Sequence, residues 1–210
     1  MIVPCSSRAR KFISQYCGQI SPDDVPLGTD IGQFAVDVPK MRQFICVGRL
    51  VEGKCIDAII RRFAQFVKLD GYGDYQLLIA GRGPLQPTLV ALSEQLGIGG
   101  QVRFLGQVDH ATLAAHISHS VASLVASKQE LNMMSVTESI ACGTPVITNS
   151  VPNDSVTVAQ NGLGIVNDDW SAAEMVQVAS DFSYAERCRA YSSRLTCQTV
   201  ARQLLRLRLQ

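Results

Sequence analysis

The order of apolar and polar positions along the chain alternates between short apolar runs and longer amphipathic stretches. Apolar runs that predict buried strands lie at residues 43–47, 75–80, 101–105, 121–125, 145–148 and 164–166. Helical periodicity fills most of the intervals, at 55–68, 85–96 and 111–118, in a segment that follows Glu130, and from residue 171 to the end. Strands that alternate with helices of about 10–15 residues predict βαβ units and a parallel sheet.

The predicted fold is of the α/β class, a Rossmann-like doubly wound parallel sheet, because crossovers between parallel strands are right-handed. Two parts of the chain fall outside the alternation. Residues 21–34 are rich in turn formers and indicate a linker. Residues 149–163 are expected to form a loop.

Glycines and charged residues follow several of the predicted strands. Ligands of doubly wound sheets bind beyond the carboxyl ends of the strands, so these residues predict a binding site there. They are Gly48-Arg49 after the first strand, Gly81-Arg82-Gly83 after the second and Lys128-Gln129-Glu130 after the fourth. Gln86 stands where a dinucleotide fingerprint needs its third glycine, so no nicotinamide cofactor is indicated.

The most specific segment is SKQELNMMSVTESIACGTPV, residues 127–146. It places Glu130 before the start of a predicted helix and Glu138 about one turn inside it, roughly 10 Å apart. Unpaired amides and the helix dipole attract phosphate to such a start. Two carboxylates around an anion-binding helix start suit a nucleotide diphosphate sugar. The alternative is an ordinary structural role, because glutamates often complement the dipole in the first turns of a helix.

Two cations lie on the loop after the first strand. Arg49 and Lys54 could grip a diphosphate together, with Gly48 letting the backbone approach the ligand. The alternative is that both side chains are solvated on an exposed loop. The other residues at the strand ends favour the phosphate-binding interpretation.

Bulk properties narrow the classes of function. The net charge of +1 gives no general attraction to nucleic acid or to membranes. The seven cysteines form no CxxC pair, the N-terminus lacks an apolar signal core, and no apolar run reaches the roughly 20 residues of a membrane span. We therefore expect a cytoplasmic protein with reduced thiols. His110, His116 and His119 lack supporting carboxylates or thiols, so no metal site is predicted.

The C-terminal segment VARQLLRLRL is amphipathic and carries three arginines. Such a helix is compatible with binding at a membrane surface. Docking onto a neighbouring domain through Val200, Leu204, Leu205 and Leu207 is the preferred interpretation. Without that domain, the same apolar face favours self-association.

Taken in order, these stretches resemble the glycogen-synthase-like family of retaining, nucleotide-sugar-dependent glycosyltransferases with the GT-B fold. VGRLVEGKCIDAII resembles the GR-L-x-x-x-K-G stretch of that family, LLIAGRGPL and VRFLGQV resemble its second and third strands, and NGLGIV resembles its late loop and strand. The E-x7-E spacing from Glu130 to Glu138, followed by ACGTPVI, is the most specific match. The resemblance runs from about Val3 to the C-terminus, and DDVPLGTDIGQF resembles the linker between the two GT-B domains.

The resemblance implies roles for the charged residues. Arg49 and Lys54 would contact the donor diphosphate. Glu130 would contact the transferred sugar near the reacting carbon, and Glu138 would bind the ribose hydroxyls. Arg49, Lys54 and Glu130 are the residues implied in catalysis.

Further donor contacts implied by the resemblance come mainly from the backbone. Amides at the helix start would meet the distal phosphate, the third strand would meet the base, and glycines would line the site. The residues concerned are Gly48, Gly81, Arg103, Met133, Met134 and Ser135. The donor is a substrate, and no cofactor or metal is implied.

The chain departs from the family pattern in sequence and in length. Cys55 stands where a glycine usually follows the lysine, and Leu131-Asn132-Met133 follows the first glutamate, where glycines are common. Only about residues 1–27 precede the linker, so the acceptor-binding domain is expected to be missing from these residues. The implied organisation is a remnant plus linker at 1–40, a nucleotide-sugar-binding domain at 41–170 and C-terminal helices at 171–210.

The function implied is that of the donor-binding half of a retaining glycosyltransferase in glycan, polysaccharide or glycolipid synthesis. It would transfer a hexose from a nucleotide diphosphate sugar to an acceptor hydroxyl. The sugar or lipid acceptor would bind through the absent N-terminal domain. One alternative is a non-catalytic nucleotide-sugar-binding module that needs a partner acceptor domain. A nucleotide-sugar epimerase of similar fold is another, less favoured because E-x7-E with GTPV follows the transferase pattern.

Overall fold

The computed structural model describes residues 10–11, 13–17, 20, 25, 27–31, 38–130 and 132–208. Most of the predicted N-terminal remnant and linker lies outside these residues. The described stretch 27–31 packs beside the end of the chain. There the Thr29 amide donates to the Leu195 carbonyl at 2.8 Å, and the Cys197 amide donates to Asp30 Oδ1 at 3.2 Å.

Six strands form one parallel sheet, as the alternation of the sequence predicts. They are β1 (Gln43–Val47), β2 (Gln76–Ala80), β3 (Val102–Gly106), β4 (Ala122–Leu124), β5 (Val146–Thr148) and β6 (Gly164–Val166). Their order in the sheet is β3-β2-β1-β4-β5-β6, and each neighbouring pair is parallel. The order reverses between β1 and β4, which makes that position the switch point of the sheet.

Helices connect the strands and complete the C-terminal part of the fold. The α-helices are α1 (Ile56–Phe66), α2 (Gln86–Gln95), α3 (His110–His119), α4 (Met134–Ala141), α5 (Asp154–Asn161), α6 (Ala172–Ser180), α7 (Ser183–Ser192) and α8 (Cys197–Arg208). Short 3₁₀ turns occupy Glu52–Lys54 and Gly99–Gln101. Within the described residues, no helix combines the length and apolarity that crossing a membrane requires.

Both faces of the sheet are buried. Phe44 and Ile45 are neighbours in β1, and both are fully buried. Because successive side chains of a strand point to opposite faces, their burial shows that both faces are covered. Phe44 belongs to a cluster with Phe63 of α1 and with Trp170, whereas Ile45 clusters with Ile117 of α3. Coverage by helices on both sides explains why the central strands are mostly apolar runs in the sequence.

The segment between β5 and β6 departs from the sequence prediction. The loop expected at 149–163 contains a helix, α5. The prediction was wrong because the segment begins with turn formers and the helix is short, with only Ser155 and Val158 among its buried residues. The helix ends at Gly162, whose φ of +60° is the left-handed conformation that glycine adopts readily.

Candidate functional site

The loops after β1 and β2 run side by side beyond the sheet. The Gly48 amide donates to the Ala80 carbonyl at 2.9 Å, and the Leu50 amide donates to the Arg82 carbonyl at 3.0 Å. A Cβ on Gly81 would lie 1.9 Å from the Gly48 carbonyl oxygen, so the two backbones can approach this closely only at a glycine. Gly81 therefore shapes the loop pair, whatever further role it has toward a ligand.

An open cleft of about 390 Å³ lies at the carboxyl ends of β1, β2 and β3. Gly48 and Arg49 line one side, and Gly81 and Arg82 line the next. These predicted residues thus share one cleft. The β3 side is lined by Gly106, Gln107 and Val108, which follow the predicted Arg103 in the chain, and Arg103 itself is an exposed residue within β3.

The loops after β1 and β4 meet at the switch point. Lys54 Nζ forms an ion pair with Glu130 Oε2, and the Lys128 amide donates to the Gly53 carbonyl at 2.9 Å. The side chains of Lys54 and Glu130 are only 15% and 20% exposed, so water screens their attraction less than that of a surface pair. The fold therefore brings into contact two charged residues that the sequence predicted for one site.

Glu138 lies on α4, about one turn beyond the helix start. Burial raises the pKa of its carboxyl above the ordinary value, and the charge of His110 partly offsets this effect. A partly desolvated carboxylate is stabilised by accepting hydrogen bonds, for example from ligand hydroxyls. His110 is exposed, and it is close enough for its charge to act on Glu138.

The start of α4 is formed by Met133, whose backbone is extended (φ −108°, ψ 96°) and whose side chain provides no cap. The Met133 amide donates to Asp154 Oδ2 at 2.6 Å. The amides of Met134 and Ser135 lie in the first turn, where an α-helix offers no internal acceptor, and are suited to meet an anion. Of the three predicted amide contacts, that of Met133 is thus already engaged within the protein.

Three side chains from the segment after β5 hold the loop between β4 and α4, which the structure describes at residues 127–130 and 132–133, and none of the three was predicted from the sequence. Asn149 donates from Nδ2 to a backbone carbonyl oxygen in this loop at 2.7 Å, and Asn153 donates from Nδ2 to a side-chain oxygen in this loop at 3.0 Å. Asp154 accepts the hydrogen bond from the Met133 amide. The sequence does carry a signal for them, a cluster of asparagine and aspartate residues that follows a buried strand.

His116 of α3 has cationic neighbours. Burial lowers the pKa of His116, and the charges of Arg103 and His119 lower it further. In the part of the chain that the structure describes, no three or more histidine, cysteine, aspartate or glutamate side chains are grouped to hold a metal ion.

Known proteins share both the sequence pattern and the fold. The sequence profile of the family described as glycosyl transferases group 1 matches residues 33–192. Glycogen synthase of Mycobacterium tuberculosis is 31% identical over 134 residues, which cover 60% of this chain and 32% of that protein. Sucrose-phosphate synthase of Thermosynechococcus elongatus superposes with a TM-score of 0.79 at 23% identity, covering 100% of this chain and 57% of that one. HepE of Anabaena, in complex with UDP, superposes with a TM-score of 0.78 at 15% identity, covering 99% of this chain and 63% of that one.

These matches differ in what they show. The two solved structures, at such low identities, establish a shared fold. The chain spans about a third of the length of the curated relatives it matches. The profile, in contrast, covers most of the chain, including the sheet and its switch-point loops. The chain therefore belongs to the glycosyl transferases group 1 family, which has the GT-B fold.

Proposed function

We propose that the chain is the donor-binding half of a retaining glycosyltransferase, which moves a hexose from a nucleotide diphosphate sugar to an acceptor hydroxyl. The convergence of Lys54, Glu130 and the start of α4 at the switch point carries the proposal. The cation and the helix start supply positive potential for a diphosphate. The carboxylate beside them suits the hydroxyls of a sugar.

The arrangement would assist departure of the nucleotide diphosphate. Negative charge grows on the leaving group as its oxygen separates from the anomeric carbon. Arg49, Lys54 and the first amides of α4 would stabilise this charge, which is commonly the largest single contribution to catalysis. Glu130 would orient the sugar and stabilise the positive charge that develops on its ring. With two cations and a helix dipole facing the phosphates, binding would need no metal ion.

The nucleoside would extend into the cleft beside β1, β2 and β3. The cleft volume of about 390 Å³ is within the usual range for small-molecule sites. Glu138 would accept hydrogen bonds from the ribose hydroxyls, and the backbone from Arg103 onward would meet the base. The UDP bound to HepE makes a uridine nucleotide the first candidate, at the level of a shared fold.

Calorimetric titration with UDP-, GDP- and ADP-sugars in the presence of a chelator tests the proposal. We expect at least one nucleotide diphosphate sugar to bind without added metal. A strict requirement for a divalent ion would contradict the proposed electrostatics. Failure of all three nucleotide classes to bind would contradict the donor-binding assignment itself.

Lys54→Ala is expected to weaken nucleotide diphosphate binding about tenfold or more. A charge-assisted contact contributes about 1.5–3 kcal/mol, and about 1.4 kcal/mol corresponds to a factor of ten in affinity. Calorimetry with the bare nucleotide measures the change. Lys68→Ala is the matched control, because Lys68 is an exposed lysine just after α1. Equal affinity of the Lys54 variant and the control would remove Lys54 from the site.

Substitutions of the two glutamates are expected to affect the binding of different ligands. Glu138→Ala should weaken binding of the nucleotide and of its sugar conjugate alike, because Glu138 is assigned to the ribose. Glu130→Ala should weaken binding of the sugar conjugate only. Binding of the bare nucleotide should be unaffected, because the substitution removes the ion-pair partner of Lys54 and leaves Lys54 available to the phosphates. Titration of both variants with both ligands measures this, and equal losses in all four combinations would show that the assignment is wrong.

A second candidate is a non-catalytic donor-binding module that works with a partner acceptor domain. The observation that favours it lies on α8, where the apolar side chains of Leu204 and Leu205 are 43% and 61% exposed. An apolar helix face of this kind suits a protein partner. A second copy of the chain would cover it as well. A natural gene that continues upstream of Met1 into an acceptor domain would favour the catalytic half, and a separate adjacent gene would favour the module.

A further inference from the structure

The loop between β4 and α4, which carries Glu130, is held by side chains of the segment after β5. The helix that follows it, α4, has no cap from Met133. Val136 stands at the third helical position, where a capping box would place a glutamate or glutamine that accepts from the amide of the N-cap residue. Asp154 performs this task from another helix, since its Oδ2 accepts from the Met133 amide at 2.6 Å.

Asp154 is well placed to hold the loop firmly. It is the first residue of α5, where the helix dipole stabilises a negative charge. Burial raises the pKa of its carboxyl, the hydrogen bond from Met133 opposes this, and the nearby charge of Glu130 adds to the rise. Next to it, Asn153 is only 3% exposed and bonds to Asn132 in the same loop. Asp154 itself is half-buried, and a partly desolvated carboxylate whose hydrogen bond is made holds its partner more strongly than a solvated one.

We propose that Asp154 is a positioning residue for Glu130. By holding the Met133 amide, its carboxylate fixes the end of this loop so that Glu130 meets Lys54 at the switch point. The same bond withholds the Met133 amide from a bound phosphate and leaves the amides of Met134 and Ser135 for that contact. The inference rests on the proposed function, because it assumes that Glu130 serves the sugar of the donor.

Three variants test this role. Asp154→Ala removes the acceptor, Asp154→Asn keeps an acceptor oxygen without the charge, and Asp181→Ala is the matched control. Asp181 is an exposed carboxylate that also accepts from a backbone amide, that of Ser183 at 3.0 Å. Each variant is titrated with UDP and UDP-glucose, and amide hydrogen exchange is followed by NMR without ligand.

We expect Asp154→Ala to weaken UDP-glucose binding about tenfold while changing UDP binding by less than about threefold. Its Met133 amide should exchange at least about tenfold faster than in the parent protein. Asp154→Asn should restore both properties to within about threefold of the parent, and Asp181→Ala should alter neither. A general loss of stability would instead weaken the binding of both ligands, and thermal unfolding of each variant identifies that case.

The outcomes separate the two proposals. If the parent protein binds UDP-glucose and Glu130→Ala weakens it selectively, but Asp154→Ala does not, the positioning role is overturned and the proposed function stands. Unchanged exchange of the Met133 amide in Asp154→Ala overturns the positioning role without reference to any ligand. If Met133 exchange rises as expected but the parent binds none of the nucleotide sugars, the loop is held as inferred and the proposed function fails.

Discussion

Gly81→Ala is expected to lower the free energy of unfolding by about 3 kcal/mol, the upper end of the cost of overpacking a tightly packed site. The new Cβ would lie 1.9 Å from the Gly48 carbonyl oxygen, and Gly81 has a φ of +138°, which side chains rarely adopt. Both atoms in the clash are close to the backbone, so no rotation of a side chain relieves it. Urea unfolding followed by circular dichroism measures the loss.

Gly100→Ala is the control for this substitution. A Cβ on Gly100 meets nothing within 4 Å, and the residue is exposed. Its substitution should change the free energy of unfolding by less than about 0.5 kcal/mol, as is usual at the surface. Equal stability of the two variants would show that the loops after β1 and β2 do not approach each other this closely.

The 210 residues alone are expected to bind the donor but to transfer its sugar at less than about one thousandth of the rate of a complete enzyme. Holding the acceptor in near-attack geometry can contribute about 7–11 kcal/mol to lowering a barrier. In the proposed function the acceptor side of the cleft belongs to another domain. Transfer of radiolabelled sugar to a panel of acceptor sugars, using a monomer isolated by gel filtration, measures the rate.

Full-length glycogen synthase of Mycobacterium tuberculosis is the positive control for that assay, because it is a longer relative of the chain. Lys54→Ala, in turn, shows whether any residual transfer comes from the protein and not from a contaminant. Rapid transfer by the parent monomer that Lys54→Ala abolishes would contradict the expectation. It would place an acceptor site within these residues.

The fold was predictable because its signals are local. The four central strands, β1, β2, β4 and β5, are mostly apolar runs that are buried on both faces. The glycines and charges that follow the strands mark one edge of the sheet. The helix α5 was not predictable in the same way, because its first residue, Asp154, and the preceding Asn153 are also typical of turns. At Cys55 the backbone is left-handed (φ 48°), which accounts structurally for the glycine that the family usually has there.

The candidate site was predictable as a set of residues but not as a set of contacts. The ion pair of Lys54 with Glu130 depends on β1 and β4 being neighbours, and their order in the sheet is a property of the whole topology. The bond from Met133 to Asp154 likewise joins the starts of two helices, α4 and α5, that follow different strands. Neither contact leaves a periodic trace in the sequence, and both required the three-dimensional structure.

The most direct test of the central claim is an NMR titration of the labelled protein with UDP, GDP and ADP. At least one nucleotide is expected to shift the amide signals of Gly48, Met134 and Ser135 the most, because in the proposed complex the diphosphate would lie between the loop after β1 and the start of α4. Shifts confined to residues elsewhere, such as Val90 and Glu94 on α2, or none with any nucleotide, would contradict it.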